Sequence, residues 1–168
     1  MTDEEWRSST CATEMLRALY AQKPRYFRSQ SRQLHRFLIA CCWKHGHLIP
    51  QEGIREGLRG AERWIAGEIS DDELNRLNWH AEGEAFRLDY AKTPSDFAVI
   101  RALVADIPQL DGVPFADSHA LLTAAAYFAE GSMVYPTIRP GPWIESLFAS
   151  QFVCPDLLRE YLTPRFGR

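Results

Sequence analysis

Apolar residues recur along this chain at the three-to-four-residue period of an α-helix, and this pattern constrains the fold most strongly. The clearest example lies in residues 29–45. Four apolar residues there share one helical face: Leu34, Phe37, Leu38 and Cys41. Alternating runs of β-branched residues and Asn-Gly turns, which indicate strands and hairpins, do not occur. The sequence therefore predicts an all-α protein.

Proline, glycine and helix-capping residues divide this pattern into six to eight helices. The predicted helices cover residues 3–22, 29–45, 50–67, 70–92, 93–107, 117–130, 143–152 and 155–162. Stretches 108–117 and 131–142 are predicted to be loops. The 168 residues fit a single compact domain, 1–168, with a weak internal division near 93–94. We therefore expect an irregular helical bundle, in which the spacing of Gly53, Gly57 and Gly60 lets a neighbouring helix approach closely.

We expect no secretory signal at the beginning of the chain. The first ten residues, MTDEEWRSST, are acidic and lack an apolar core. No apolar run approaches the ~18 residues of a membrane span. The four cysteines are therefore expected to be reduced thiols. We expect a cytoplasmic protein with no membrane partner.

One segment differs in charge from the rest of the chain. Residues 23–49 contain six lysines and arginines and no acid, whereas the whole chain has a net charge of −3. The candidate partner-binding residues are Arg25, Arg28, Arg32, Arg36 and the interleaved Tyr26, and Trp143 further along the chain. The four arginines share one helical face if the helix begins early enough. Because guanidinium groups bind carboxylates bidentately, this face predicts docking of an acidic protein.

Other interpretations of the basic face stay open. The arginines could pair with acids of the same chain, such as Asp71, Asp72 and Glu73. They could also bind nucleic acid, although the overall acidity of the chain disfavours broad nucleic-acid binding. We expect an acidic protein partner ahead of nucleic acid, and self-association is a further option.

A second cluster concentrates metal-ligating and nucleophilic residues. Its members are Cys41, Cys42, His45 and His47. Cys41 and His45 lie one helical turn apart, a spacing that suits a shared ion such as zinc. Alternatively, the thiols pack in the core and the histidines lie at the helix C-terminus. A metal- or thiol-dependent enzyme or sensor is the second hypothesis, and Cys154 is a further thiol for which the sequence identifies no base.

No complete catalytic motif is present. The sequence has no P-loop, no GxGxxG and no HExxH. Asp117, Ser118 and His119 are consecutive, so they cannot adopt the geometry of a catalytic triad with each other. We predict no catalytic residue and no cofactor. The leading hypothesis is a non-enzymatic interaction or regulatory protein.

The first 90 residues contain a series of short matches to a known pattern. They are Met1-Thr2, Glu5-Trp6, Met15-Leu16, Leu34, Arg36-Phe37, Cys41-Cys42, His47-Leu48 and Ala61-Glu62-Arg63. With these residues the chain resembles a group of planctomycete bacterial proteins of unknown function. The loop before the second predicted helix is longer than in the group, and the resemblance ends before residue 93. It implies a bacterial cytoplasmic setting and no particular activity.

Overall fold

A computed structural model describes residues 1–133 and 142–166, except for the side chains of residues 142–144. Within these residues the chain forms helices and turns and no strand, so the predicted all-α helical bundle is confirmed. No helix in this described part is long and apolar enough to cross a membrane. The α-helices are α1 (Asp3–Ser8), α2 (Ala12–Gln22), α3 (Pro24–Ser29), α4 (Ser31–Lys44), α5 (Glu52–Ala66), α6 (Asp71–Asp89), α7 (Pro94–Ala105), α8 (Phe115–Met133), α9 (Pro142–Phe148) and α10 (Pro155–Tyr161).

The described residues contain ten α-helices, more than the six to eight predicted. The predicted helix 3–22 is two helices, because Ser9 and Cys11 adopt extended backbone conformations between α1 and α2. Residues ahead of the predicted second helix form α3, which begins at Pro24, a residue whose fixed φ suits the first helical position. Two short 3₁₀ helices, Gly46–Leu48 and Pro108–Leu110, add to the irregular architecture.

The predicted loop 108–117 is shorter than expected. Its first residues form the 3₁₀ helix, and Gly112 follows with a φ of +75°, which favours glycine. Helix α8 begins at Phe115 instead of residue 117, because the Pro114 carbonyl accepts hydrogen bonds from the N–H groups of Asp117 and Ser118.

The first residues of the predicted loop 131–142 are helical instead. Helix α8 passes the predicted stop at Gly131 and continues to Met133, because Ser132 and Met133 are buried in the core. Residues 134–141 lie outside the described residues, and Pro142 begins α9.

Helix α4 lies at the centre of the apolar core. Its buried residues are Leu34, His35, Phe37, Leu38, Ile39, Cys41 and Cys42. It packs against α5, α8 and α10. The cluster of buried residues around it includes side chains from Trp6 near the start to Leu162 near the end of the chain.

Helices α5 and α6 form a closely packed hairpin. Gly67 ends α5 with a φ of +81°, and the Ser70 hydroxyl accepts a hydrogen bond from the Glu73 N–H at the start of α6. A Cβ at Gly57 would lie 2.6 Å from the Met133 sulfur of α8, and a Cβ at Gly60 would collide with Leu77 of α6. These two glycines therefore allow α5 to approach both neighbours closely.

We predict that Gly57→Ala lowers the free energy of unfolding by about 1 kcal/mol, because overpacking outweighs the gain in helix propensity. Gly83→Ala is the matched control, since a Cβ there would meet no atom within 4 Å. This control should stabilise the protein by ~0.5–1 kcal/mol. Urea denaturation measures both effects. Equal stabilisation by the two substitutions would contradict the close contact of Gly57 with Met133.

His35 is a completely buried histidine on α4. Its ring centre lies 5.9 Å from that of Trp64, and its ring is hydrogen-bonded to the backbone of Ser132 and Met133. Burial lowers the pKa of His35 to about 4, because desolvation of the charged ring outweighs these hydrogen bonds. There is therefore a pH range in which His35 takes up a proton in the unfolded chain but stays neutral in the folded protein.

We predict that the protein loses stability as the pH falls from ~6.5 towards ~4, because only the unfolded state takes up the His35 proton over this range. The loss should reach up to about 3 kcal/mol at the lower end. His35→Gln should flatten the dependence of the unfolding free energy on pH, whereas His80→Gln, at an exposed position on α6, should leave it unchanged. If the unfolding free energy of the His35→Gln variant depended on pH as steeply as that of the unsubstituted protein, His35 would not be the cause of the pH dependence.

Candidate functional site

The four arginines of the basic segment are exposed and lie on two consecutive helices. We call Arg25, Arg28, Arg32 and Arg36 the arginine surface. The Gln30 N–H ends α3 by donating to the carbonyls of Tyr26 and Phe27, at 3.0 and 3.3 Å. Helix α4 begins with a 2.8 Å bond from the Leu34 N–H to the Gln30 carbonyl. The arginines therefore form two pairs, one on each side of Gln30.

Within residues 1–133 and 142–166, no carboxylate forms an ion pair with the arginine surface. Two of the acids that the sequence offered as partners are engaged elsewhere. Glu73 pairs with Arg63 at 3.6 Å, and Asp71 accepts a 2.7 Å hydrogen bond from the Trp64 indole. The arginine surface therefore retains its guanidinium donors for another molecule.

Several arginines elsewhere in the fold are paired with acids of this chain, although others, such as Arg17 and Arg76, are exposed without an ion pair to any described residue. Three that pair with carboxylates of this chain are Arg59 with Glu52, Arg87 with Glu84 and Arg159 with Asp156, at 2.7, 3.3 and 3.3 Å. Several acids of α5 and α6 are thus paired within the fold, whereas the arginines of the basic segment are not. The arginine surface is distinguished by the clustering of four such arginines in a segment that contains no acid.

An apolar groove of about 400 Å³ adjoins Arg36. The other residues that line it come from α4, α5 and α10: Ile39, Ala40, Trp43, Glu62, Ile65, Ala66 and Tyr161. The Trp43 indole donates a 2.8 Å hydrogen bond to Glu62, and the Arg55 guanidinium lies 5.8 Å from the centre of the Trp43 ring. These contacts hold the ring in place. The groove can therefore take an apolar side chain while Arg36 binds a neighbouring carboxylate.

The two aromatic candidates have different positions. Tyr26 is half-buried, and its hydroxyl accepts a 3.0 Å hydrogen bond from the Thr163 N–H, which ties α3 to the segment after α10. Trp143 belongs to α9, and its side chain lies outside the described residues. Tyr26 therefore positions the helix that carries Arg25 and Arg28.

A second groove, of about 550 Å³, lies between α6 and α7. Its rim includes the exposed side chains of Phe86, Tyr90 and Val99. Glu52 and Glu84 also line it. Asp96 and Arg87 line it as well, so its lining has a net negative charge, whereas Arg36 and Glu62 balance in the groove beside Arg36.

The cysteine and histidine candidates do not converge on one point. Cys41 and Cys42 are completely buried, His45 is half-buried at the end of α4, and His47 is exposed in the following 3₁₀ helix. Among the described residues, no group of three or more histidine, cysteine and acidic side chains could hold a metal ion. The helix turns the two thiols into the core, while the chain carries His47 to the surface.

Burial also determines the reactivity of the two central thiols. It raises the pKa of Cys42 to about 12 and raises the pKa of Cys41 far above its ordinary value. A thiol is nucleophilic only as the thiolate. Cys41 and Cys42 are therefore unreactive towards solutes at neutral pH while the fold stays closed.

The structure brings together one pair that the sequence did not connect. The Cys154 sulfur lies 3.6 Å from the His45 Nε2, and it is 3.4 Å from the Phe152 carbonyl, to which the thiol donates. The pKa of His45 is lowered first by burial and then by the nearby charges of His47 and Lys44. His45 is thus disposed to be neutral and able to accept a proton. The sequence did not predict this contact, because His45 and Cys154 are 109 residues apart and only the fold brings them together.

Comparisons with known proteins give no relative of this chain. No protein-family model matches it, and no curated protein or solved structure shows significant similarity to it. The resemblance of the first 90 residues to planctomycete proteins therefore stays a prediction from the sequence.

Proposed function

We propose that this chain is a non-enzymatic interaction or regulatory protein that docks an acidic protein on the arginine surface. One observation carries the proposal: four exposed arginines have no carboxylate partner within the described part of the chain. A guanidinium group offers five hydrogen-bond donors in a planar fork that matches a carboxylate. A partner with closely spaced acidic side chains can satisfy these donors.

The groove beside Arg36 favours a protein over a nucleic acid. Its walls are largely apolar, so a partner can bury an aliphatic or aromatic side chain there, next to a carboxylate bound by Arg36. The net charge of −3 further weakens long-range attraction of nucleic acids.

The proposal includes a bacterial cytoplasmic setting. The resemblance of the first 90 residues supports a bacterial source. Four free cysteines, of which only Cys11 is exposed, fit a reducing compartment.

We predict that Arg32→Glu with Arg36→Glu weakens binding of a fluorescein-labelled peptide rich in Glu, Asp and Leu by at least ~10-fold, because each lost charged hydrogen bond costs about 1.5–3 kcal/mol. Fluorescence anisotropy measures the affinity. The matched control is Arg17→Glu with Arg76→Glu, which makes the same change of charge at two exposed positions on α2 and α6. The control should bind like the unsubstituted protein.

Three outcomes would overturn the proposal. Equal weakening in the control pair would mean that only net charge matters. Tighter binding of a labelled single-stranded oligonucleotide than of the peptide would favour a nucleic-acid regulator. Self-association that disappears in the Arg32→Glu, Arg36→Glu variant would mean that a second copy of this chain occupies the surface. Circular dichroism establishes that both variant pairs stay folded.

A further inference from the structure

The groove between α6 and α7 takes no part in the docking function. Its volume of about 550 Å³ falls in the range of small-molecule pockets in proteins. Leu88, Ile100 and Leu103 contribute apolar surface to its lining, and the first two of these residues are buried. The groove can therefore hold the apolar body of a small molecule.

The charged side chains of the groove favour a positively charged ligand. Glu52, Glu84 and Asp96 line it with carboxylates, whereas Arg87 contributes a guanidinium group. Arg87 pairs with Glu84 at 3.3 Å, and Glu52 pairs at 2.7 Å with Arg59, which does not line the groove. Asp96 forms no ion pair with a residue that the structure describes. A cation is therefore the electrostatic complement of this lining.

Two aromatic rings of α6 stand at the rim of the groove. Phe86 and Tyr90 lie one helical turn apart, and their ring centres are separated by 5.8 Å at an interplanar angle of 81°. Their side chains are 42 % and 63 % exposed, so a ligand can reach them. Because the face of an aromatic ring attracts a cation, these rings favour the same class of ligand as the carboxylates.

A buried amide on the groove has no hydrogen-bond partner among the described residues. Gln51 lines the groove just before α5 and is only 6 % exposed, and neither its amide nitrogen nor its amide oxygen is bonded. An unbonded buried amide destabilises a fold. The glutamine side chain can rotate to offer its carbonyl to an N–H donor in the groove, and it gives up no hydrogen bond to a described residue in doing so.

We propose that this groove binds a small organic cation, a primary amine attached to an apolar or aromatic body. The body occupies the apolar part of the groove, and the ammonium group lies near the carboxylates and the aromatic rim. An ammonium group has three N–H donors and no acceptor, which matches carboxylate oxygens and the Gln51 carbonyl. None of the groove residues belongs to the arginine surface, so the amine and the acidic partner bind at separate sites.

The test compares three molecules of similar size that differ in charge: phenethylamine, 2-phenylethanol and phenylacetate. Each is titrated into the full-length chain, and NMR follows the backbone amide signals. Phenethylamine, which is positively charged at neutral pH, should shift signals of α6 and α7. It should bind at least ~10-fold more tightly than 2-phenylethanol, because charged hydrogen bonds are stronger than neutral ones. The negatively charged phenylacetate should bind more weakly than the alcohol.

Two substitutions in the groove have matched controls outside it. Glu84→Gln should weaken phenethylamine binding at least ~5-fold, because it removes a carboxylate and releases Arg87 from its ion pair. Glu56→Gln, at an exposed position on α5, should leave the affinity unchanged. Tyr90→Leu should weaken binding at least ~3-fold through loss of the aromatic face. Trp79→Leu changes a more exposed aromatic residue of α6 that does not line the groove, and it should have no effect.

A third substitution, Gln51→Leu, separates binding from folding. It should weaken phenethylamine binding at least ~3-fold, because the ammonium group loses an acceptor. The Tm of the ligand-free variant should stay the same or rise, because leucine replaces an amide that makes no hydrogen bond to the described residues. A lower Tm with unchanged affinity would mean that Gln51 is structural and is not part of the site.

Several results would overturn the amine site. The proposal fails if phenethylamine shifts no signal of α6 or α7 at concentrations up to about 10 mM, or if it binds no more tightly than 2-phenylethanol. Tighter binding of N-acetyl-lysine methylamide than of phenethylamine would assign the groove to a lysine side chain of a protein partner. The Arg32→Glu, Arg36→Glu variant should bind phenethylamine normally, so failure of one proposal is distinguishable from failure of the other.

Discussion

Burial of helix α4 on three sides is the constraint on which the rest of this structure depends. Helices α5, α8 and α10 cover its apolar residues. Each large apolar side chain that is fully buried contributes ~1.5–3 kcal/mol, so the helix cannot turn about its axis without exposing several of them. The remaining strip, which carries Arg32 and Arg36, is therefore held in contact with water. The exposure of these arginines is a consequence of the core.

The same helix carries the His45 contact with Cys154 at its C-terminal end. Cys41 faces the core, and His45 lies one turn later, where the segment leading into α10 reaches α4. Helix α10 also contributes Tyr161 to the groove beside Arg36. One packed contact, between α4 and α10, thus forms one wall of the candidate docking groove and brings Cys154 to His45.

The sequence predicts the parts of this structure that depend on local periodicity. Apolar spacing predicts the all-α class, and the spacing of Gly57 and Gly60 predicts a close helix approach. The predicted start of the second helix, residue 29, lies close to the observed start of α4, whereas the separate helix α3 ahead of it was not predicted. The sequence could predict that the arginines are exposed. It could not predict that they lack carboxylate partners, because this depends on which residues the acids of α5 and α6 contact in the fold. The Cys154–His45 contact joins residues 109 positions apart, and only the tertiary fold creates it.

The most direct test of the central claim is hydrogen–deuterium exchange with and without the acidic peptide. Bound peptide should slow amide exchange in α3, in the first turns of α4 and in α10, because these segments carry the arginine surface and the groove beside it. Slower exchange confined to α6 and α7, which line the larger and more acidic groove, would contradict it.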